Sequence, residues 1–293
     1  MIRLLLLLFI ASQPAVSKDL IPIITRNGPT STGYITTVPF INKLNSIQDR
    51  YEFVLQTVSG AHGEAADQKA IAMARSGRKV LWTGPISSFT VNRFEVGNTY
   101  DRDNDFFFIT SLATTPFSLV THPDDTSKNV DDFFNSLKKK KEIFLGATME
   151  AGSTIFLSNI LLKNYNTKAT ILRYKDFTEV GSAIHKKEAD YTIYVSPTNK
   201  MLSLKEILNS GKGKNSGIEF GISDFESFTS SSFATPKELK DFGLEVKPYF
   251  DQLCNDKDII DMLEKYGYLK TCFNDEEMKK RVAAELKMLE KNK

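Results

Sequence analysis

Apolar positions along this chain fall into two rhythms that take turns. Leu20-Ile21-Pro22-Ile23-Ile24 is a short apolar strand, and the turn-rich stretch from Arg26 to Gly33 follows it. Tyr34, Ile35, Val38, Ile41 and Leu44 then repeat at helical spacing, with Pro39 expected to kink that helix or delay its start. Tyr51–Leu55 predicts the next strand, Ser59–Gly63 a loop, and residues 64–75 a helix; Lys79–Trp82 predicts a third strand. Phe106–Ile109 and Phe117–Val120 read as two further strands.

A second run of strand, loop and helix begins after residue 121. Helices are expected over 130–138, 153–162 and 177–186, and strands over 143–147, 170–174 and 191–195. Strands that alternate with helices in this way imply an α/β protein with a mostly parallel sheet. Ser210–Gly217 and Thr229–Thr235 hold little to bury and read as exposed connectors, while Glu219–Ser223 reads as a strand. Pro236 opens a short helix, and the tail from Asp256 onward reads as helical, with Asn274 or Asp275 capping its last helix.

The start of the chain has a different character. Arg3 precedes an unbroken apolar run of eight residues, Leu4–Ala11, and small residues stand at Ala15 and Ser17. That is the pattern of a secretory leader, residues 1–17, cut before Lys18. The run is far shorter than the roughly 20 residues a spanning helix needs. Without Arg3 the formal net charge drops from +2 to +1, which gives no long-range attraction to nucleic acid. The one dense basic run, Lys138-Lys139-Lys140-Lys141, ends a predicted helix and reads as solvated surface. For an exported chain, two cysteines and no more, Cys254 and Cys272, predict one disulfide. His62, His122 and His185 are scattered without companions at metal-ligand spacing, so no metal is expected.

Three loops share one construction, each leaving a strand and opening a helix: Asn27–Gly33, Ser59–Gly63 and Thr148–Ser153. Their glycines allow close backbone approach, and the first turn of a helix leaves N–H groups without partners. Such loops suit a small anion lodged outside the C-terminal ends of strands. Neither a nucleotide fingerprint nor a phosphate loop is present. No serine sits in a nucleophile elbow, so no catalytic residue and no enzyme activity are expected.

The same segments, in order, resemble the periplasmic solute-binding proteins of tripartite tricarboxylate transporters, the Bug or TctC-like family. The stretches that carry the resemblance are Arg26–Thr32, Thr57–Gly63 (where the family has Gly-Ala-Gly-Gly), Gly146–Ser153, Leu172–Lys175 and Ala234–Leu244. The resemblance implies a type II periplasmic-binding-protein fold, with two α/β lobes joined by two crossover segments. Lobe 1 would span residues 18–120 plus 236–293, lobe 2 residues 121–218, with residues 219–235 as the returning crossover. It also implies a monomer without cofactor that holds a mono- or dicarboxylate between the lobes and delivers it to membrane permease subunits.

Carried over by position, the ligand-binding residues would be Pro29, Thr30, Ser31, Thr32, Ser59, Gly60, Ala61 and His62 from the first lobe. Thr148, Met149, Ala151, Gly152 and Ser153 would face them from the second. Phe89 and Tyr174 read either as apolar cover for the solute or as core. Arg173 is either a clamp on a second carboxylate or plain surface. Several positions depart from the family pattern: Ser31 replaces an aspartate, Tyr34-Ile35 stands near an expected arginine, and His62 and Glu64 replace glycines. These departures sustain a rival reading, a secreted interaction or structural protein that kept the scaffold and lost solute uptake. A secreted hydrolase is a third.

Overall fold

The computed structural model describes residues 18–29, 31–60, 63–91, 105–148, 152–195, 202–210, 216–217, 228–265 and 268–292. The leader expected at residues 1–17 and the strand expected at 219–223 lie outside them. None of the described helices is long and apolar enough to cross a membrane.

The first unit is built from β1 (Asp19–Thr25), α1 (Thr32–Ser46), β2 (Tyr51–Thr57), α2 (Glu64–Arg75) and β3 (Leu81–Gly84). β1 pairs in parallel with both β2 and β3. Alternation is visible at the edge: Tyr51 and Phe53 are buried while Glu52 and Val54 are exposed. On one face Ile21, Ile23, Phe40, Leu44 and Phe53 form a core. On the other, Ile24, Ala66, Ala70 and Trp82 pack together, and the Trp82 Nε1–H donates to buried Asp67 Oδ1 at 2.7 Å. Pro39 neither breaks α1 nor delays its start. The carbonyl deprived of its partner belongs to the exposed residue Ile35, where water can serve it.

The two strands expected at 106–109 and 117–120 are one, β4 (Phe106–Thr121), sixteen residues long. Its first part pairs antiparallel with β9 (Phe228–Pro236) as far as Pro116. From Phe117 onward it pairs antiparallel with β7 (Tyr191–Val195). The change of strand partners sits at Pro116–Phe117. The stretch 229–235, read as a polar connector, is strand β9, held between β3 and β4. Its backbone hydrogen bonds to two neighbours put Ser232 and Thr235 in the interior despite their hydroxyls.

The second unit holds α3 (Val130–Leu137), β5 (Phe144–Thr148), α4 (Gly152–Asn164), β6 (Thr170–Tyr174), α5 (Phe177–His185) and β7. β5 runs parallel to β6 and β7. β8 (Lys205–Asn209), which the hydrophobic pattern does not announce, pairs with β4. Ser210 and Ser216 are buried, against the exposed loop expected there. The Lys138–Lys141 run is exposed as expected, and Lys140 pairs with Asp190.

The chain then returns to the first unit through α6 (Lys240–Cys254), α7 (Lys257–Lys265), β10 (Leu269–Phe273) and α8 (Asp275–Lys291). β10 interrupts a tail read as wholly helical and pairs with β4. Asn274 caps α8 in a capping box with Glu277. The expected disulfide is present: Cys254 at the end of α6 is bonded to Cys272 in β10.

Candidate functional site

Strand direction decides where the loops meet. β4 leads from the first unit into the second, and β7 runs antiparallel to it, so β7 and its parallel neighbour β5 point back toward the first unit. β9 is antiparallel to both β4 and β3, so β3, β1 and β2 run with β4, toward the second unit. The C-terminal ends of both parallel sets thus face each other across the junction. The described starts of the loops that leave those ends lie at this junction, the position favoured for ligands in open α/β sheets.

From the first lobe comes the loop after β1. Pro29 is exposed at its tip. Ser31 is the N-cap of α1: its Oγ accepts from the Tyr34 N–H at 3.2 Å and donates to the Gly28 carbonyl at 2.8 Å. The Ser31 N–H also donates to Gly28 O, at 2.9 Å. Both of its polar groups therefore serve the turn. Thr32 and Gly33 open the helix, where N–H groups have no intrahelical acceptor. A Cβ on Gly33 would stand 2.5 Å from Asn27 Nδ2, so a larger residue there would have to push the Asn27 amide aside.

In the loop after β2, Ser59 is exposed and Gly60 takes a φ of 123°. Gly63, at φ 93°, caps α2 with no side-chain bond. Across the junction, Thr148 ends β5, and Gly152 and Ser153 open α4, with Gly152 buried and Ser153 half-buried. Thr154 donates its Oγ1–H to Ile193 O at 2.6 Å, which ties this helix start to β7. Thr30, Ala61, His62, Met149 and Ala151 lie outside the described residues.

The aromatic and arginine candidates separate cleanly. Phe89 is fully buried, with rings of Trp82, Phe106 and Phe108 around it. Tyr174 packs with Leu172, Phe177 and Val180 beneath α5, and burial raises its phenol pKa. Arg173, next along β6, takes the opposite face, and its Nη1 donates to Thr148 O at 3.0 Å. The guanidinium therefore rests on the C-terminal rim of the second lobe.

Two residues at the junction were not among the candidates. Arg26 directly follows β1, and its side chain lies along the start of α2: a Cβ on Gly63 would stand 2.3 Å from Arg26 Cδ and 2.8 Å from Nη1. Tyr194, on the last turn of β7, stacks on Phe177 with ring centroids 3.6 Å apart. Burial raises the Tyr194 phenol pKa, and the Arg26 charge works against that rise. Arg26 is the only cation in the loop after β1, and strand alternation sets Tyr194 on the face opposite Ile193; neither signal alone marks a site.

His122 and His185, far apart in sequence, come together with ring centroids 6.1 Å apart. No group of three metal-ligating side chains exists among the described residues.

No protein-family model matches the sequence, and comparison with curated proteins finds no match. Solved structures do match over nearly the whole chain. MatC from Rhodopseudomonas palustris, solved with malate, is 12% identical with a TM-score of 0.78, over 94% of this chain and 99% of its own. The R. palustris protein Rpa4515, solved with adipate, is 15% identical with a TM-score of 0.78, over 94% and 96%. The fold is that of the two-lobed periplasmic binding proteins. The binding protein BugD adds a third likeness, 13% identical with a TM-score of 0.73 over 93% of this chain and 95% of its own. The match covers both lobes and the strands that cross between them, so the expected type II fold is the one the chain adopts.

Proposed function

We propose that this protein is an extracytoplasmic receptor that holds a small organic carboxylate between its lobes and presents it to membrane permease subunits. The observation that carries the reading is the opposition of the two C-terminal strand edges, each lined by helix starts and each carrying an arginine, Arg26 on one rim and Arg173 on the other. An arginine on each rim suits a solute with one or two carboxylates. That structural neighbours were solved with malate and with adipate supports the same class. The protein works in the periplasm as a monomer, without a cofactor and without catalysing a reaction. A solute that touches both rims favours the closed arrangement by its differential contacts.

The test is thermal melting of the mature protein with a panel of C4–C8 mono- and dicarboxylates. A ligand at a hundred times its Kd adds about 2.7 kcal/mol, which is roughly 5–10 °C for a chain of this size. A folded protein whose melting no carboxylate moves overturns the reading. The rival, a secreted interaction protein on the same scaffold, draws on one observation: Ser31, where the resembling family has an aspartate, spends its hydroxyl and amide on the turn. Recovery of a protein partner with no small molecule in the purified material would favour it.

A further inference from the structure

Asn27 is the only asparagine in the chain that is followed by glycine, and it stands in the loop that leaves β1 at the junction. Its backbone is tied on both sides: the Asn27 N–H donates to Thr25 Oγ1 at 3.1 Å, and its carbonyl accepts from Thr57 Oγ1 at 3.0 Å. Its side chain is not tied. Among the described residues neither the Asn27 amide nor the Gly28 N–H has a hydrogen-bond partner. Asn45, by contrast, has both ends of its amide bonded to Phe53. Asn27 and Gly28 are both partly exposed, and beyond its two chain neighbours nothing lies within 4 Å of where a Cβ on Gly28 would stand.

We propose that Asn27–Gly28 is a modification site, at which the folded protein converts Asn27 to aspartate or isoaspartate without an enzyme. The Gly28 nitrogen attacks Asn27 Cγ; the N–Cγ bond forms, Cγ–Nδ2 breaks, and ammonia leaves with the Gly28 proton. Water then opens the cyclic imide at either carbonyl, so one water is consumed for each ammonia released. Glycine matters at the attacking position because a Cβ there would crowd the approach to Cγ. The new carboxylate stands beside Gly33 in the first turn of α1, where the positive end of the helix dipole favours it. The Thr57 bond acts as a brake, since the Asn27 carbonyl must turn before the Gly28 nitrogen can reach Cγ. Resting on the receptor reading above, the modification also sets the working life of the cleft: it puts a negative charge in a loop that faces an anionic solute.

The test is peptide mapping by mass spectrometry of the mature protein, aged in heavy-oxygen water at neutral and at alkaline pH. Asn27 is expected to change from amide to acid with one heavy oxygen, faster at alkaline pH because the attacking nitrogen must lose its proton, while Asn45 stays intact. Gly28→Ala, which meets open space, is expected to lose the conversion. Thr57→Val should speed it by about 2- to 10-fold. Circular dichroism confirms each fold. An Asn27 that survives in the folded protein but converts in the urea-unfolded chain overturns the proposal, as does undiminished conversion in Gly28→Ala. In calorimetric titration with the C4–C8 panel, Asn27→Asp should weaken the tightest carboxylate by about 3- to 10-fold; unchanged affinity overturns the effect on the cleft. A folded wild-type protein that binds no carboxylate overturns the receptor reading alone, because mass mapping detects the modification without a solute.

Discussion

Glu285 makes the stability of this protein depend on pH in a direction opposite to that of most carboxylates. It lies on the buried face of α8, and its Oε1 accepts from Thr90 Oγ1 at 2.9 Å. Burial lifts its pKa from the ordinary 4.5 to about 7, opposed in part by the Thr90 bond and by the Arg281 charge one turn earlier. Because the folded pKa is the higher one, the folded state holds the proton more tightly. The contribution to stability is complete below pH 4.5, is lost as the pH rises through the folded value, and is gone above it. At 1.36 kcal/mol for each tenfold, the difference amounts to about 3 kcal/mol. Glu285→Gln preserves shape and the acceptor for Thr90 but has no charge to bury. The variant should match wild type at pH 4.5 and exceed it at pH 8 by about 3 kcal/mol, or roughly 6–12 °C in melting temperature. Thermal melts of both proteins across that range provide the assay. Parallel profiles, with one constant offset at every pH, would refute the reasoning.

Two further outcomes follow from covalent and backbone constraints. Reducing Cys254–Cys272 releases a closure of separation 18 that ties α6 to β10, and chain entropy puts its loss at about 3 kcal/mol; melting that does not shift with the thiols shown to be free would contradict it. Gly63→Ala forces a left-handed residue to carry a Cβ against Arg26, which should cost roughly 1–2 kcal/mol. A Gly63→Ala protein that melts at the wild-type temperature would contradict it.

Much of the architecture was legible before any coordinates. The elements 64–75, 170–174 and 191–195 appear where periodicity set them, because each is amphipathic or uniformly apolar and is flanked by turn residues. The disulfide followed from an isolated pair of cysteines in an exported chain. β9 escaped notice because its serines and threonines carry no apolar rhythm; its place comes from backbone bonds to β3 and β4, and every residue type has those bonds to offer. β4 joins two apolar runs that stand apart in the sequence, and it passes through Pro116, which falls where the strand changes partners and a missing N–H is tolerated.

The loops were likewise visible, but their chemistry was not. Small polar residues between strand and helix announced three openings, and their common destination depends on strand direction, which becomes defined only when β4 carries the chain across. Phe89 and Tyr174 read more readily as core than as cleft, and the structure buries Phe89 among aromatic rings and packs Tyr174, half-buried, against the cluster under α5. Arg26 was one basic residue in a turn until folding laid it on Gly63 and brought Tyr194 from the other lobe within reach of its charge. Where near neighbours in the chain set the pattern, as in the helices and the strands of the parallel sets, the elements were readable from residue order alone. Which loop tips confront each other came from the folded arrangement, because that contact joins residues whose separation in sequence leaves no local trace.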